Sequence, residues 1–257
     1  MDSDEKKIGV AAAALPEGLT AELMPKHVAV ILDGNRRWAK ARGFPVELGH
    51  VEGKRVMMEI AFLSCKWGVK VLSLFCFSTE NWSRPQEEVD NLMTLLEEVV
   101  QTYLVDFFSY NIRISVMGDR AKLPESLIKV INMAEENTKG NKGLHILIAI
   151  NYSGQYDIVK ATKNIVLKVK SGIVEIEDIN KSLIEEELET SCAKYPIPDL
   201  LIRTSGEQRI SNFMLWQMAY TELVFSKKMF PEFEEQDYVE ALLSFQKRDR
   251  RFGGKKY

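Results

Sequence analysis

The sequence predicts an α/β fold, a single six-stranded, mainly parallel sheet flanked by helices. Three observations carry that expectation. Short apolar runs alternate with helical patterns along nearly the whole chain. The runs are continuously apolar, as strands buried on both faces are. The length of 257 residues, with 46% hydrophobic and 28% charged, suits one large domain with a real core.

The elements follow in order. His27 to Leu32 (HVAVIL) is a first strand, and Asp33-Gly34-Asn35 opens a helix through Arg37 and Trp38. Val51 to Trp67 places Val56, Ile60, Leu63 and Trp67 on one helical face, and Gly68 stops it. Val69 to Phe77 is a buried strand. Pro85, Glu87 and Glu88 open a long helix to about Tyr110; proline suits a first turn, and acids suit its positive end. Ile112 to Met117 and Leu144 to Ile150 are strands around a helix from Pro124 to Thr138. Gln155 to Lys170 and Asp178 to Glu189 read as helices, and Leu200 to Ile202 as a short strand. Asn212 to Tyr220 reads as helical, Glu222 to Phe225 as the last strand, and Glu234 to Arg248 as the final helix. Residues 1–23 are expected to be a flexible N-terminal extension, and residues 24–257 the folded domain.

Composition excludes several classes. Lys and Arg total 34 against 37 Asp and Glu, a net charge of −3, so general nucleic-acid binding is not expected and any anion site must be built locally. Cys65, Cys76 and Cys192 are odd in number and widely spaced, against a disulfide framework and for a reducing compartment. His27, His50 and His145 show no metal-ligand spacing. No apolar run approaches the ~18 residues of a membrane span, so an integral membrane protein is not expected. The start near the first strand raises the expectation of a targeting segment upstream. No GxGxxG, Walker A or G-x-S-x-G motif occurs, and no Asp-Asp pair.

In a parallel sheet, ligands bind beyond the carboxyl ends of the strands. There the sequence places Asp33 to Arg37, then Ser78, Glu80, Asn81 and Arg84, then Asn151 and Tyr152, then Arg203, Thr204, Ser205, Gly206 and Arg209. Acids, amides, hydroxyls and arginines on one edge suit phosphorylated ligands and a divalent metal. The alternatives are ordinary ones: a capped basic turn at Asp33 to Arg37, a surface histidine at His50, and a loop in which Glu207 pairs Arg209. Trp82 is expected to be structural. The apolar stripe of the long helix is core first, and the wall of an apolar ligand tunnel second.

HVAVILDGNRRWAK, FSTENWSRP, GNKGLHILIAINYSG, PDLLIRTSGEQRISNFMLWQ and RRFGG together resemble the cis-prenyltransferases, the undecaprenyl and dehydrodolichyl diphosphate synthase family. The resemblance runs from about Met24 to Gly254 and is greatest to the plant plastid branch with short-chain members. It implies that family's fold, a homodimer, Mg²⁺, isoprenyl diphosphate substrates and a plastid stroma location after loss of a transit peptide, with the cytoplasm as the alternative. It implies Asp33, Asn35, Ser78 and Asn81 as catalytic. Gly34, Arg36, Arg37, Trp38, His50 and Arg84 would serve the allylic substrate. Arg203, Arg209 and Ser211 would hold the second diphosphate, that of isopentenyl diphosphate. Asp33 and Glu222 would serve the metal, and Arg251 and Gly253 would complete the partner subunit's site. Cys76, Phe107, Phe108, Ile146 and Ile148 are expected along the tunnel. Val46, Cys76, Ser153 and Ser205 depart from the long-chain bacterial pattern, and Cys76 favours a short product. The function implied is condensation of an allylic diphosphate with isopentenyl diphosphate to a short Z-prenyl diphosphate. Irregular coupling to lavandulyl diphosphate, long-chain synthesis and a non-catalytic partner subunit are the alternatives.

Overall fold

The computed structural model describes residues 14–254. Six strands form one sheet in the order β3-β4-β2-β1-β5-β6. They are β1 (His27–Ile31), β2 (Val71–Ser78), β3 (Arg113–Met117), β4 (His145–Tyr152), β5 (Leu200–Arg203) and β6 (Glu222–Phe225). All five pairings are parallel, so all six strands end on one edge. The helices are α1 (Asn35–Ala41), α2 (Val46–Lys66), α3 (Gln86–Ser109), α4 (Glu125–Thr138), α5 (Gly154–Lys170), α6 (Lys181–Glu187) and α7 (Glu235–Gln246).

Both sheet faces are covered, which is why the strands read as unbroken apolar runs. One face packs Val28, Val30, Leu72, Leu74 and Ile146 against residues of α2, α3 and α7. The other packs Ala29, Ile31, Leu147, Ala149 and Leu201 against Phe213, Met214 and Met218. Alternate residues of each strand serve opposite faces, as a pleat requires.

The ladder between β2 and β4 carries two irregularities that cancel. Phe75 pairs with Ala149, Phe77 with Ile150 and Ser78 with Tyr152. Cys76 is therefore extra on β2 and Asn151 extra on β4, and the register before and after is the same. Asn151 has a φ of 52°, the left-handed value that asparagine tolerates. Such bulges re-aim side chains beside functional sites.

Four expectations need correction. Helix α2 starts at Val46, five residues before Val51, because Pro45 supplies a preset φ just before it. Only Gln217–Tyr220 of the helix expected from Asn212 is helical. Ser211, Asn212 and Met214 have positive φ. Asn212 instead uses its carbonyl and its Oδ1 to accept the Gly154 and Gln155 N–H groups at the start of α5, so tertiary capping overrides local propensity. Helix α6 starts only at Lys181, where Asn180 Oδ1 accepts the Leu183 N–H. Residues 14–23, expected in a flexible extension, are docked: Leu15 and Leu19 pack on the core, and Gln246 at the end of α7 bonds both the N–H and the carbonyl of Thr20. The rest of that expected extension lies outside the described residues.

Candidate active site

A cleft of about 820 Å³ opens at the carboxyl edge of the sheet. Loops after β1, β2 and β5 build its rim, and α2 and α3 wall its interior. Its cationic side chains, Arg36, Arg37, Lys40, Lys54, Arg84, Arg203 and Arg209, outnumber its carboxylates, Asp33 and Glu80. A chain of net negative charge thus concentrates positive charge at one place.

Asp33 leaves β1 at the centre of the rim. Its Oδ2 accepts from Arg203 at 2.7 Å, and its Oδ1 lies 3.4 Å from Arg37. Burial pushes the Asp33 carboxyl up, but the Arg203 hydrogen bond and charge, with Ser205 and Arg37, hold it below its ordinary value. It is therefore ionised at neutral pH. Thr204 Oγ1 donates to the Asp33 carbonyl and accepts its N–H, fixing the strand exit.

Arg203 is buried, at 3% exposure. Besides Asp33 it donates to Ser211 Oγ at 2.6 Å and to the Arg209 carbonyl. Arg209 is exposed and pairs Glu207, which also pairs Arg37. The expected Glu207–Arg209 pair is present, within a wider arginine–carboxylate chain. The β5 loop carries positive φ at Ser205, Gly206, Ser211 and Asn212. Ser205 accepts from Arg37 at 2.6 Å. Strained residues gathered at one rim mark a place where geometry is held for a purpose.

Two glycines permit close approach. Gly34 has a φ of 110°, and a Cβ there would lie 3.0 Å from Met229 and 3.1 Å from Ser205. A Cβ on Gly49 would collide with the Asn35 carbonyl, so Gly49 lets α2 approach α1 and brings His50 to the cleft. Asn35 Nδ2 donates to the Leu32 carbonyl, while Asn35 Oδ1, His50 Nε2 and Arg203 Nε are buried without a hydrogen-bond partner. All three residues line the cleft.

Ser78 and Asn81 cap the turn after β2 reciprocally: Asn81 Oδ1 accepts the Ser78 N–H, and Ser78 Oγ accepts the Asn81 N–H. Trp82 is structural, as expected: its indole donates to Asn151 at 2.8 Å and meets Phe77 edge-on. Glu80 accepts from Asn212 Nδ2 across the cleft at 2.9 Å.

Glu88 was missed. Read from sequence, it only complements the positive end of a helix. In the structure it is 8% exposed and sits 3.3 Å from both Arg36 and Arg84, and 3.8 Å from His50. It holds three expected substrate-binding residues together. Its one sequence signal was the four-residue spacing from Arg84, which stands just before the helix, to Glu88 in its first turn. Burial lowers the His50 pKa, with Glu88 opposing, so the ring is neutral at pH 7.

Other expected residues lie elsewhere. Trp38 lies under the Arg42 guanidinium, meets Phe44 at a tilt and does not line the cleft. Cys76 does line it, together with Met57, Leu92, Leu95, Leu96 and Val99. Ile146 and Ile148 are buried in the core behind that wall. Phe107 is core, two turns beyond Val99, and Phe108 is 68% exposed, which removes it from any tunnel in this chain. Glu222 begins β6 at the opposite edge of the sheet from Asp33 and pairs Arg248 at 2.6 Å, so the two do not form one site within a chain. Arg251 pairs Asp249, and Arg251 and Gly253 are likewise outside the cleft. Among the described residues no three His, Cys, Asp or Glu side chains are grouped to hold a metal. The donor set fits a different arrangement: Mg²⁺ binds readily through one carboxylate plus substrate phosphates, and Asp33 supplies an ionised carboxylate.

Comparison with known proteins shows the family and agrees with the fold. A prenyltransferase family model, described as undecaprenyl diphosphate synthase, matches residues 31–253. The chloroplastic dehydrodolichyl diphosphate synthase CPT5 of Solanum lycopersicum is 55% identical over 251 residues, 98% of this chain and 80% of that one. The chloroplastic (2Z,6Z)-farnesyl diphosphate synthase CPT6 of the same plant is 54% identical over 237 residues, 92% of this chain and 82% of that one. The crystal structure of lavandulyl diphosphate synthase from Lavandula x intermedia, in complex with dimethylallyl diphosphate, superposes with a TM-score of 0.88 at 42% identity, over 90% of this chain and 99% of that one. A cationic rim over an apolar wall, at the carboxyl edge of a six-stranded parallel sheet, is therefore the candidate site of a prenyltransferase, and the chain belongs to the undecaprenyl diphosphate synthase family.

Proposed function

We propose that the protein condenses an allylic diphosphate, dimethylallyl or longer, with isopentenyl diphosphate to give a short Z-prenyl diphosphate. The observation that carries this is the continuity of arginines and apolar wall in one cleft. A diphosphate needs the first, and a growing hydrocarbon needs the second.

Arg36, Arg37, Arg84 and His50, with Gly34 and Asn35 at the turn, receive the allylic diphosphate. Arg203, Arg209 and Ser211 receive that of isopentenyl diphosphate, in the bidentate manner guanidinium favours. Mg²⁺, held by Asp33 and diphosphate oxygens, would supply charge neutralisation for the departing group. Arg37 and Arg203 already touch Asp33, so a diphosphate beside them exchanges one anion for another without exposing either cation. The allylic C–O bond breaks, the isopentenyl double bond attacks the allylic carbon, and one proton leaves to set the Z double bond. Asn81 Oδ1 and Ser78 Oγ are engaged by backbone N–H groups, so they orient the substrate, and an oxygen of the released diphosphate takes the proton.

The protein acts as a homodimer in which Glu222, Arg251 and Gly253 serve the partner's cleft, since their own chain holds them away from its cleft. It works in the plastid, as the names of the chloroplastic relatives suggest. No helix among the described residues is long and apolar enough to cross a membrane.

A second reading is irregular coupling of two dimethylallyl diphosphates, favoured by the similarity to the lavandulyl enzyme. Mass spectrometry of products from dimethylallyl diphosphate, with and without isopentenyl diphosphate, tests both. Product that requires isopentenyl diphosphate supports the first reading. Product from dimethylallyl diphosphate alone replaces it with the second, and polyprenyl products of many units would replace the short chain with a long one.

A further inference from the structure

We infer that Lys54, ion-paired to Glu98 across the seam between α2 and α3, sets the length of prenyl chain that the cleft accepts. This rests on the reading of the cleft as a prenyl-diphosphate site.

The interior wall beyond Glu88 is apolar, built by Met57, Cys76, Leu92, Leu96 and Val99, yet Lys54 lies in it. Lys54 stands one turn after His50 on α2, with its side chain 22% exposed. Its ammonium is 3.5 Å from the Glu98 carboxylate, which is 54% exposed on α3. Glu98 is about 15 Å beyond Glu88 at the rise of an α-helix. The pair thus crosses the seam beside Val99, the last α3 residue on the wall. Phe107 lies about 12 Å further on, too deep to meet a chain in this cleft.

A hydrocarbon advancing inward from His50 therefore comes level with Lys54 before it reaches Met57, which stands almost a turn further along α2. Extending past Lys54 strips water from the ammonium and offers nothing polar in return. Pairing with an exposed carboxylate is weak and keeps the ammonium wet. The lysine stem lies along the apolar wall while its head reaches the seam. The stop is one of charge as well as volume, so an isosteric neutral side chain should relax it.

The test uses the full chain with dimethylallyl and isopentenyl diphosphates, and reads product length by mass spectrometry. Lys54→Met should lengthen the main product by at least one isoprene unit, whereas Lys54→Arg should keep the wild-type length. Lys54→Ala, a strong helix former, should lengthen it in the same direction and covers the case in which the Met variant does not fold. Wild-type product with unchanged length in Lys54→Met and Lys54→Ala overturns the inference alone. Lengthening in Lys54→Arg as well would assign the effect to shape and overturn the role of charge. No prenyl product from the wild type would remove the underlying reading, and the inference with it.

Discussion

The two edges of the sheet use the same residue types differently. At the carboxyl edge, Asp33 has only side-chain partners on its carboxylate, Arg203, Arg37 and Ser205. At the amino edge, Asp199 Oδ2 accepts the N–H groups of Lys26 and His27, at 2.8 and 3.0 Å, and its Oδ1 pairs Arg250 at 2.6 Å. Arg250 in turn lies over Phe245 and Phe252. Backbone partners are fixed by the ladder, whereas side-chain partners can turn to a ligand. The first carboxylate faces a cleft, and the second fastens the chain's own tail. A carboxylate beside an arginine thus says little until its remaining partners are known.

The sharpest way to break this comparison is to neutralise each carboxylate without changing its shape. Asp33→Asn should remove most turnover while the protein stays folded. The amide is preferable to alanine because it does not leave buried Arg203 facing a void. Asp199→Asn should instead cost stability, about 1–3 kcal/mol, read as a lower denaturation midpoint. Near-normal kcat in the Asp33 variant, or an unchanged midpoint in the Asp199 variant, would erase the distinction.

The next effect is on substrate affinity. Charge-assisted hydrogen bonds of about 1.5–3 kcal/mol correspond to roughly ten-fold or more in binding. Arg203→Lys, which loses the guanidinium fork, and Arg209→Ala should each raise KM for isopentenyl diphosphate. The rise should be larger at buried Arg203. Steady-state kinetics with a saturating allylic substrate reads this, and an unaltered KM in both variants would move the second diphosphate elsewhere.

Smaller is an effect of pH on stability that belongs to the amino edge. His27 and His145 begin β1 and β4 and bond Ser73 and Ser115. Burial lowers each pKa from 6.5 to about 4. The unfolded chain then takes up protons that the folded chain refuses, so stability is complete above pH 6.5 and is lost as pH falls towards 4. Urea midpoints at pH 7 and pH 5 should differ, and less so in His27→Asn. An equal pH dependence in that variant would deny His27 its share.

The smallest expected effect is a null paired with a positive. Phe108→Ser should leave product length as it is, because the ring points to solvent. Cys76→Ala should lengthen the product or leave it unchanged, never shorten it. A shift with the Phe108 variant would return Phe108 to the tunnel, where the sequence places it.

The parallel sheet was legible because every strand is buried on both faces and leaves an unbroken apolar run. The rim was legible for a related reason: parallel strands all end on one edge, so the residues after them must converge. What escaped depends on tertiary partners. Glu88 and Lys54 look like solvated helix charges until the opposing helix is in place. Asn212 reads as helical until the start of α5 claims its carbonyl. Phe107 and Phe108 share a stripe of sequence, yet one is core and the other faces water. Glu222 resembled a metal-site residue by motif, but it begins β6, at the far edge of the sheet from Asp33.

The paired bulges at Cys76 and Asn151 also bear on how this sequence can change in length. Deleting Cys76 alone would let Phe75 and Phe77 pair consecutively with Ala149 and Ile150 and would leave Ser78 opposite Tyr152, so the strand straightens without a slip. Deleting Asn151 alone would likewise keep Ile150 opposite Phe77 and Tyr152 opposite Ser78, but would remove the acceptor of the Trp82 indole. Deleting both would restore a straight ladder, since each strand carries one extra residue. These two positions, 75 residues apart, are thus separate sites of length change that leave the flanking pairings in place, and only the loss of Asn151 also costs the Trp82 hydrogen bond.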